Sequence, residues 1–322
     1  VNESGEPTSP WRVSAGQRLG VPFLEQQELE MDDLASDYPF FDHRILEKIE
    51  RERCREPVLV GDLSYDDASA EPSGFTKNEK GVMRLWRDLD RGVNPQRDRS
   101  YVVSADIGLG ISSDTTSNST LCISDKTTRE KVGEVATPDM TPESFAVLAV
   151  AVCKWFCDAA FIPAFLIWED NGPGGIFGKR VQALNFSNFF YRGQEKDVKQ
   201  KKTTMPGWWT TVETKTLLFG EYRRALSTGE FTNPSKRAIA ECRNYQWKQG
   251  KVEYVGGGAG NDIDSSGESH GDIVISDALN WRILRDFPVE MAQGGRTAIL
   301  GSFAHRREKR KELELAARRD FY

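Results

Sequence analysis

The run Ala164-Phe-Leu-Ile-Trp168 carries no polar side chain and is followed at once by Glu169. An unbroken apolar run of this length suits a strand covered on both faces, because a strand with one wet face alternates. The chain is thereby confined to a sheet with helices on both sides. The same run makes Glu169 costly, since a carboxylate at the end of a buried strand needs a partner or a cation. The residues that follow, "DNGPGGIFGKR", do not form a phosphate-binding P-loop. That motif needs Gly, four residues, Gly-Lys and then Ser or Thr. Here Gly178-Lys179 is followed by Arg180, and the position five before Gly178 is Pro173.

The neighbouring segments supply the rest of such a sheet. "YVVSADIG" is a β-branched run ending in Asp106 and Gly108, and "TLCISD" and "KVGEVAT" follow at hairpin spacing. "TPESFAVLAVAVCKWFCDAA" predicts an apolar helix with Thr141 as N-cap and Pro142 at the first helical position, where its missing donor costs nothing. "GGIFGKRVQALN" predicts a helix and "NFFYR" a strand. Residues 213–228 and 234–248 read as two further helices, "KVEYV" as a strand, and "DIVISDALNWRILRDF" as a final helix after a glycine-rich loop. Before residue 98 the strand signals are weak: a charged helix from about Asp42, one strand at "PVLV", and a polar stretch at 92–100. The expected fold is α/β, a mixed sheet with helices on both faces, preceded by a smaller, mostly helical or irregular segment. The expected divisions are 1–97, 98–290 and a basic tail, 291–322.

Composition narrows the chemistry. The chain of 322 residues has three His, at 43, 270 and 305, and five Cys with no Cys-x-x-Cys pair. A His-rich centre is excluded and the cysteines read as buried thiols of a reducing compartment in preference to a zinc site, so any metal is expected on oxygen. The net charge of −6 is unevenly spread: residues 1–97 hold 13 Lys/Arg against 20 Asp/Glu, and the remainder 30 against 29. Overall acidity therefore does not argue against a nucleic-acid partner for the second part. No apolar run approaches the ~20 residues of a membrane span.

Three acids stand where a sheet would gather them. Asp106 ends the first strand of the second part, Glu169 ends the buried strand, and Asp272 opens the last helix. Converging carboxylates repel and raise one another's pKa, and a divalent ion such as Mg²⁺ removes both penalties. Asp170 is expected on the opposite face from Glu169, because side chains alternate along a strand. Asp277 lies five residues past Asp272, about 140° round a helix, and is a secondary candidate only. The run "RGQEKDVKQKK" offers Arg192, Lys196, Lys199, Lys201 and Lys202 to a phosphate backbone, with Trp208 and Trp209 nearby.

Taken in order, "VVSADIGLG", "LIWEDNGPGG", "PGWWTTVETKTLLFGEYRRAL" and "SHGDIVISDAL" resemble the nuclease domain of the large terminase subunit of tailed bacteriophages over roughly residues 98–290. The resemblance implies a ribonuclease H-like fold and endonucleolytic cutting of double-stranded DNA during genome packaging. It implies two divalent ions, Mg²⁺ or Mn²⁺, on Asp106, Glu169 and Asp272, with Asp106 bridging them. His270 and Lys215 become possible phosphate or supporting contacts. The portal and the small terminase subunit are implied as partners, in the host cell cytoplasm and away from any membrane. That family often carries an Asp pair at the third acid, where this chain has Gly271 before Asp272. It also carries a packaging ATPase ahead of the nuclease. Residues 1–45 are similar to the segment leading out of that motor, so the chain reads as the C-terminal piece of a longer protein. Two other readings are open. "DIGLG" and "GGGAG" at 256–260 resemble loops of sugar-kinase and actin-like ATPases, and a catalytically weak nuclease fold could serve as a docking module of the packaging machine.

Overall fold

A computed structural model describes residues 37–110, 117–192, 205–255 and 271–286. The centre of the molecule is a seven-stranded sheet. In chain order its strands are β2 (Leu59–Tyr65), β3 (Pro72–Lys77), β4 (Met83–Leu85), β5 (Tyr101–Asp106), β6 (Ser119–Asp125), β7 (Glu130–Thr137) and β8 (Phe165–Trp168). In space they run β3-β2-β4-β7-β6-β5-β8, and every pairing is antiparallel except β5 with β8. A meander followed by a strand returning parallel to the first is the ribonuclease H-like arrangement. The strand expected at "NFFYR" is reduced to a parallel bridge, Leu166 to Phe189, on the outer edge of β8.

Helices cover both faces. Val103, Ala105, Leu121, Leu166 and Trp168 point toward α2 (Pro142–Trp155) and α3 (Gly174–Ala183), while Val102, Cys122 and Ile167 point toward a second core. That second core is built by α1 (His43–Glu52), α4 (Val212–Thr228), α5 (Lys236–Arg243) and α6 (Asp272–Asp286). The sequence signals explain the helix starts. The Thr141 hydroxyl accepts from Ser144 N at 3.3 Å, with Pro142 behind it, and Asp42 caps α1 through Arg44 N at 2.8 Å.

Two expectations need correction. Residues 59–85 supply three strands of the central sheet, where one strand was expected, so the sheet extends across the division placed near residue 98. The helix expected over 234–248 ends at Arg243. Tyr245–Lys248 is strand β9, which turns through Gln249 and Gly250, both at positive φ (48° and 75°), into β10 (Lys251–Tyr254). Together with β1 (Asp37–Pro39) they form a separate three-stranded sheet.

Candidate functional site

Parallel pairing of β5 with β8 decides where two acids lie. Ala105 is in register with Trp168, and Glu169 N donates to Ala105 O at 3.1 Å. Asp106 and Glu169 therefore leave the carboxyl ends of adjacent parallel strands side by side, the usual place for a site in an open α/β sheet.

Helix α6 is buttoned across the same strands by polar side chains. Thr120 Oγ1 donates to Asp272 O at 3.0 Å and Ser104 Oγ to Ser276 O at 2.6 Å. Asn280 Nδ2 donates to Val102 O at 3.2 Å and Cys122 O at 2.9 Å. Four helical residues rise about 6 Å and two strand residues about 6.6 Å. Positions 272, 276 and 280 thus keep step with 106, 104 and 102, in the opposite direction. This register brings the start of α6, and Asp272 with it, over the end of β5.

The three predicted acids consequently influence one another. Burial, and then the charges of Glu169 and Asp272 and a hydrogen bond shared with Glu169, hold the Asp106 carboxyl well above the usual carboxylate range. No cation is among the main influences on it; its own neighbour Ile107 N donates to Oδ1 at 3.0 Å. The set is not a closed cage. Among the described residues no three His, Cys, Asp or Glu side chains are placed to hold an ion. The Asp272 carboxylate accepts from Ser117 Oγ and Asn118 N, both at 2.7 Å. Asp106 and Asp272 are buried and Glu169 is half-buried, and carboxylate oxygens are the donors that a hard divalent ion takes.

The remaining candidates divide. Asp170 pairs with Arg192 and accepts from Trp168 Nε1 at 3.3 Å, so it is partnered apart from Asp106, as alternation predicts. Arg192 is held by Asp170 and by Gly207 O at 3.2 Å, and lies 5.0 Å from the Trp209 ring centre. Asp277 does not join the acids; its carboxylate is buried against Lys131, Asn233 and Tyr222. Lys215 stands 5.8 Å from the ring centre of Tyr245, whose hydroxyl donates to Gly271 O at 2.8 Å, beside Asp272. His270, Lys196, Lys199, Lys201 and Lys202 lie outside the described residues.

Tyr245 is the residue that sequence reasoning missed. Burial raises its pKa well above the usual value, and the charges of Glu241, Asp106 and Asp272 add to this. It also explains why glycine precedes Asp272. Gly271 has φ +82°, and a Cβ there would stand 2.5 Å from Tyr245 Oη. An Asp pair does not fit at this position. Gly271→Ala is expected to lower stability by about 2 kcal/mol and the melting temperature by ~4–8 °C, as thermal unfolding would report. Gly174 has a comparable reason: its Cβ would meet Glu169 O at 1.9 Å, so the start of α3 can sit against the acid-bearing strand end only without a side chain.

The fold is thus a ribonuclease H-like sheet with carboxylates at the ends of two adjacent parallel strands. Several solved structures are similar to the chain. They include the magnesium-bound large terminase nuclease from thermophilic phage G20c, at 16% identity and TM-score 0.45 over 70% of this chain and 92% of that one. The large terminase nuclease domain of Thermus phage P74-26 is similar at 16% identity and TM-score 0.42, over 74% and 94%. A zinc-bound form of the G20c nuclease matches at 14% identity and TM-score 0.42, over 74% and 98%. No protein-family model and no curated protein matches the sequence.

Proposed function

We propose that the chain is a metal-dependent endonuclease that cuts double-stranded DNA during viral genome packaging, the nuclease part of a large terminase subunit. The observation that carries this reading is the meeting of Asp106, Glu169 and Asp272 from three separate elements, with Asp106 buried where it feels the charge of both other carboxylates. These three residues would hold two divalent ions, Mg²⁺ or Mn²⁺. When bound, such ions supply an activated water and charge stabilisation at the scissile phosphate. The protein contributes the frame. Parallel strands fix Asp106 beside Glu169, the α6 register fixes Asp272, and Ser117 and Asn118 orient its carboxylate. Lys215, on the first turns of α4, is available to a phosphate oxygen. On this reading the nuclease takes in the strands at 59–85, the segment leading out of a motor lies ahead of them, and 291–322 are a basic tail. The portal and small subunit are the partners, in the host cytoplasm.

The glycines of "DIGLG" do not need an ATP phosphate to explain them. A Cβ on Gly108 would meet Ser117 O at 2.3 Å and one on Gly110 would meet Met140 O at 2.1 Å, while Gly108 N already donates to Ser119 Oγ at 3.1 Å. "GGGAG" lies outside the described residues. The test is a plasmid-nicking assay. Supercoiled DNA should be nicked and linearised with Mg²⁺ or Mn²⁺, left intact with chelator, and cut again when excess metal is restored. ATP turnover without cutting would replace this reading with the ATPase one, and neither activity would favour a docking module.

A further inference from the structure

The Trp208-Trp209 pair is split by the fold. Trp208 N donates to Trp168 O at 2.7 Å and Asp170 N to Trp208 O at 2.7 Å, so this segment lies along β8 as a short parallel neighbour, with Trp208 bridged to Glu169. The Trp208 ring packs inward, 6.3 Å from the Phe190 ring centre and 5.3 Å from the Arg282 guanidinium. Trp209, one residue on, is 49% exposed. It is also firmly held. Arg192 lies over its ring and is fixed by Asp170 and Gly207 O. The next residue is clamped in both directions: Thr210 N donates to Asn171 Oδ1 at 2.7 Å, and Asn171 Nδ2 donates to Thr210 O at 2.9 Å. Exposed Met205 adjoins the same guanidinium through its sulfur, at 3.9 Å.

We infer that Trp209 is a stacking platform for an unpaired nucleobase next to the phosphate that the acids address. The ligand class rests on the nuclease reading, because a nucleotide beside Glu169 places its base within reach of the rim that Trp209 forms. The surface itself favours a base over a phosphate. Asp170 opposes the charge of Arg192, and a rigid aromatic ring loses little freedom on stacking. A base inside closed duplex is already stacked on both sides, so only one that has left the helix can use this ring. The site therefore works best where the strands are parted, on single-stranded, frayed or bubble DNA.

The test uses the full chain carrying Asp106→Asn, which binds without cutting. Fluorescein-labelled single-stranded and duplex 12-mers are titrated against this protein and against versions with added Trp209→Ala or Trp209→Phe. Trp209→Ala is expected to weaken single-strand binding about tenfold, to leave duplex binding within about twofold, and Trp209→Phe to retain most of the affinity. Unchanged single-strand binding overturns the platform, and so does equal weakening of both ligands. In the chain with Asp106 intact, the preference for a bubble over a closed duplex in Mn²⁺ should fall with Trp209→Ala. Cutting that persists with the same preference sinks the platform and spares the nuclease reading. Trp209-dependent single-strand binding without any cutting does the reverse.

Discussion

Replacing Asp106 with asparagine should abolish DNA cutting and, at the same time, raise the melting temperature measured in chelator. The two effects come from one cause. Asp106 is buried beside two carboxylates, and burial and repulsion both oppose its charge. Asparagine keeps the shape and an oxygen for Ile107 N, which now donates to Oδ1 at 3.0 Å. Its amide supplies a permanent donor toward Glu169, the side chain with which Asp106 already shares a hydrogen bond. Relief of this kind is worth about 1 kcal/mol, the net contribution of a typical hydrogen bond, and moves the melting temperature up by ~2–4 °C in a domain of this size. Cutting depends on the charge that stability would rather lose. Without a full carboxylate between the other two acids, several kcal/mol of transition-state stabilisation disappear, about a thousandfold or more in rate. A variant that cuts at the native rate would end the metal scheme. A variant that is dead and also less stable would place Asp106 in a structural role instead.

The acids were legible because each ends or opens an element whose pattern is strong. "FLIW" is too apolar for a strand with a wet face, and β8 is covered on both faces although it ends the sheet, while Thr141-Pro142 and "GDIVISDAL" mark helix starts. Their convergence follows from β5 lying parallel to β8, which a meander and a helical crossover make the natural arrangement. Three features were hidden for separate physical reasons. Tyr245 and Trp247 fell inside an expected helix because the preceding α5 is a genuine helix, and only the Gln249-Gly250 turn shows that the chain has changed to a hairpin. Strand β3 is largely exposed and starts at Pro72, and β4 is only three residues long, so their pairing is decided by β2 and β7 and not by their own residues. The third is a bulge. Ser124 pairs with Lys131 but Ile123 with Gly133, leaving Val132 as an extra residue. Three residues apart, Lys131 and Glu134 would face opposite sides of a regular strand; the bulge puts both on the α6 side. No periodicity in the sequence announces that.

That hidden pair carries the second large prediction: Lys131→Met should be among the most destabilising single changes in the molecule. Lys131 Nζ lies 2.8 Å from Glu134 Oε2 and 2.7 Å from Asp277 Oδ1, and all three side chains are 0% exposed. Asn233 Nδ2 at 2.6 Å and Tyr222 Oη at 3.2 Å also donate to Asp277, Ser235 Oγ donates to Glu134 Oε2 at 2.8 Å, and Arg237 stands 3.8 Å from Glu134 Oε1. Burial alone would lower the Lys131 pKa, but the two carboxylates outweigh it and leave the value raised. The cation therefore stays charged in the fold, and its contribution would be lost only as pH rises through that raised value. Removing it leaves two carboxylates in a dry core, at a cost of about 3–5 kcal/mol, or ~10 °C in melting temperature. The pH dependence has a definite sign. In the native protein Glu134, held low mainly by Lys131 against the burial that raises it, loses stability on acidification, while Asp277, raised by burial, works the other way. Without Lys131 both carboxylates move up, the burial of Glu134 then being opposed only by Arg237, 3.8 Å away, and the Ser235 hydroxyl. The folded variant thus binds more protons than the native fold, and its loss shrinks as pH falls. The deficit of the variant should be largest near pH 8 and narrow toward pH 5. Adding Glu134→Gln and Asp277→Asn to Lys131→Met should restore part of the loss, because no buried charge then remains. A deficit independent of pH, and unrepaired in the triple variant, would mean that Lys131 acts by packing alone. Since α6 carries both Asp277 and Asp272, the single variant should also lose cutting before it loses secondary structure on warming, which paired activity and circular-dichroism melts would resolve.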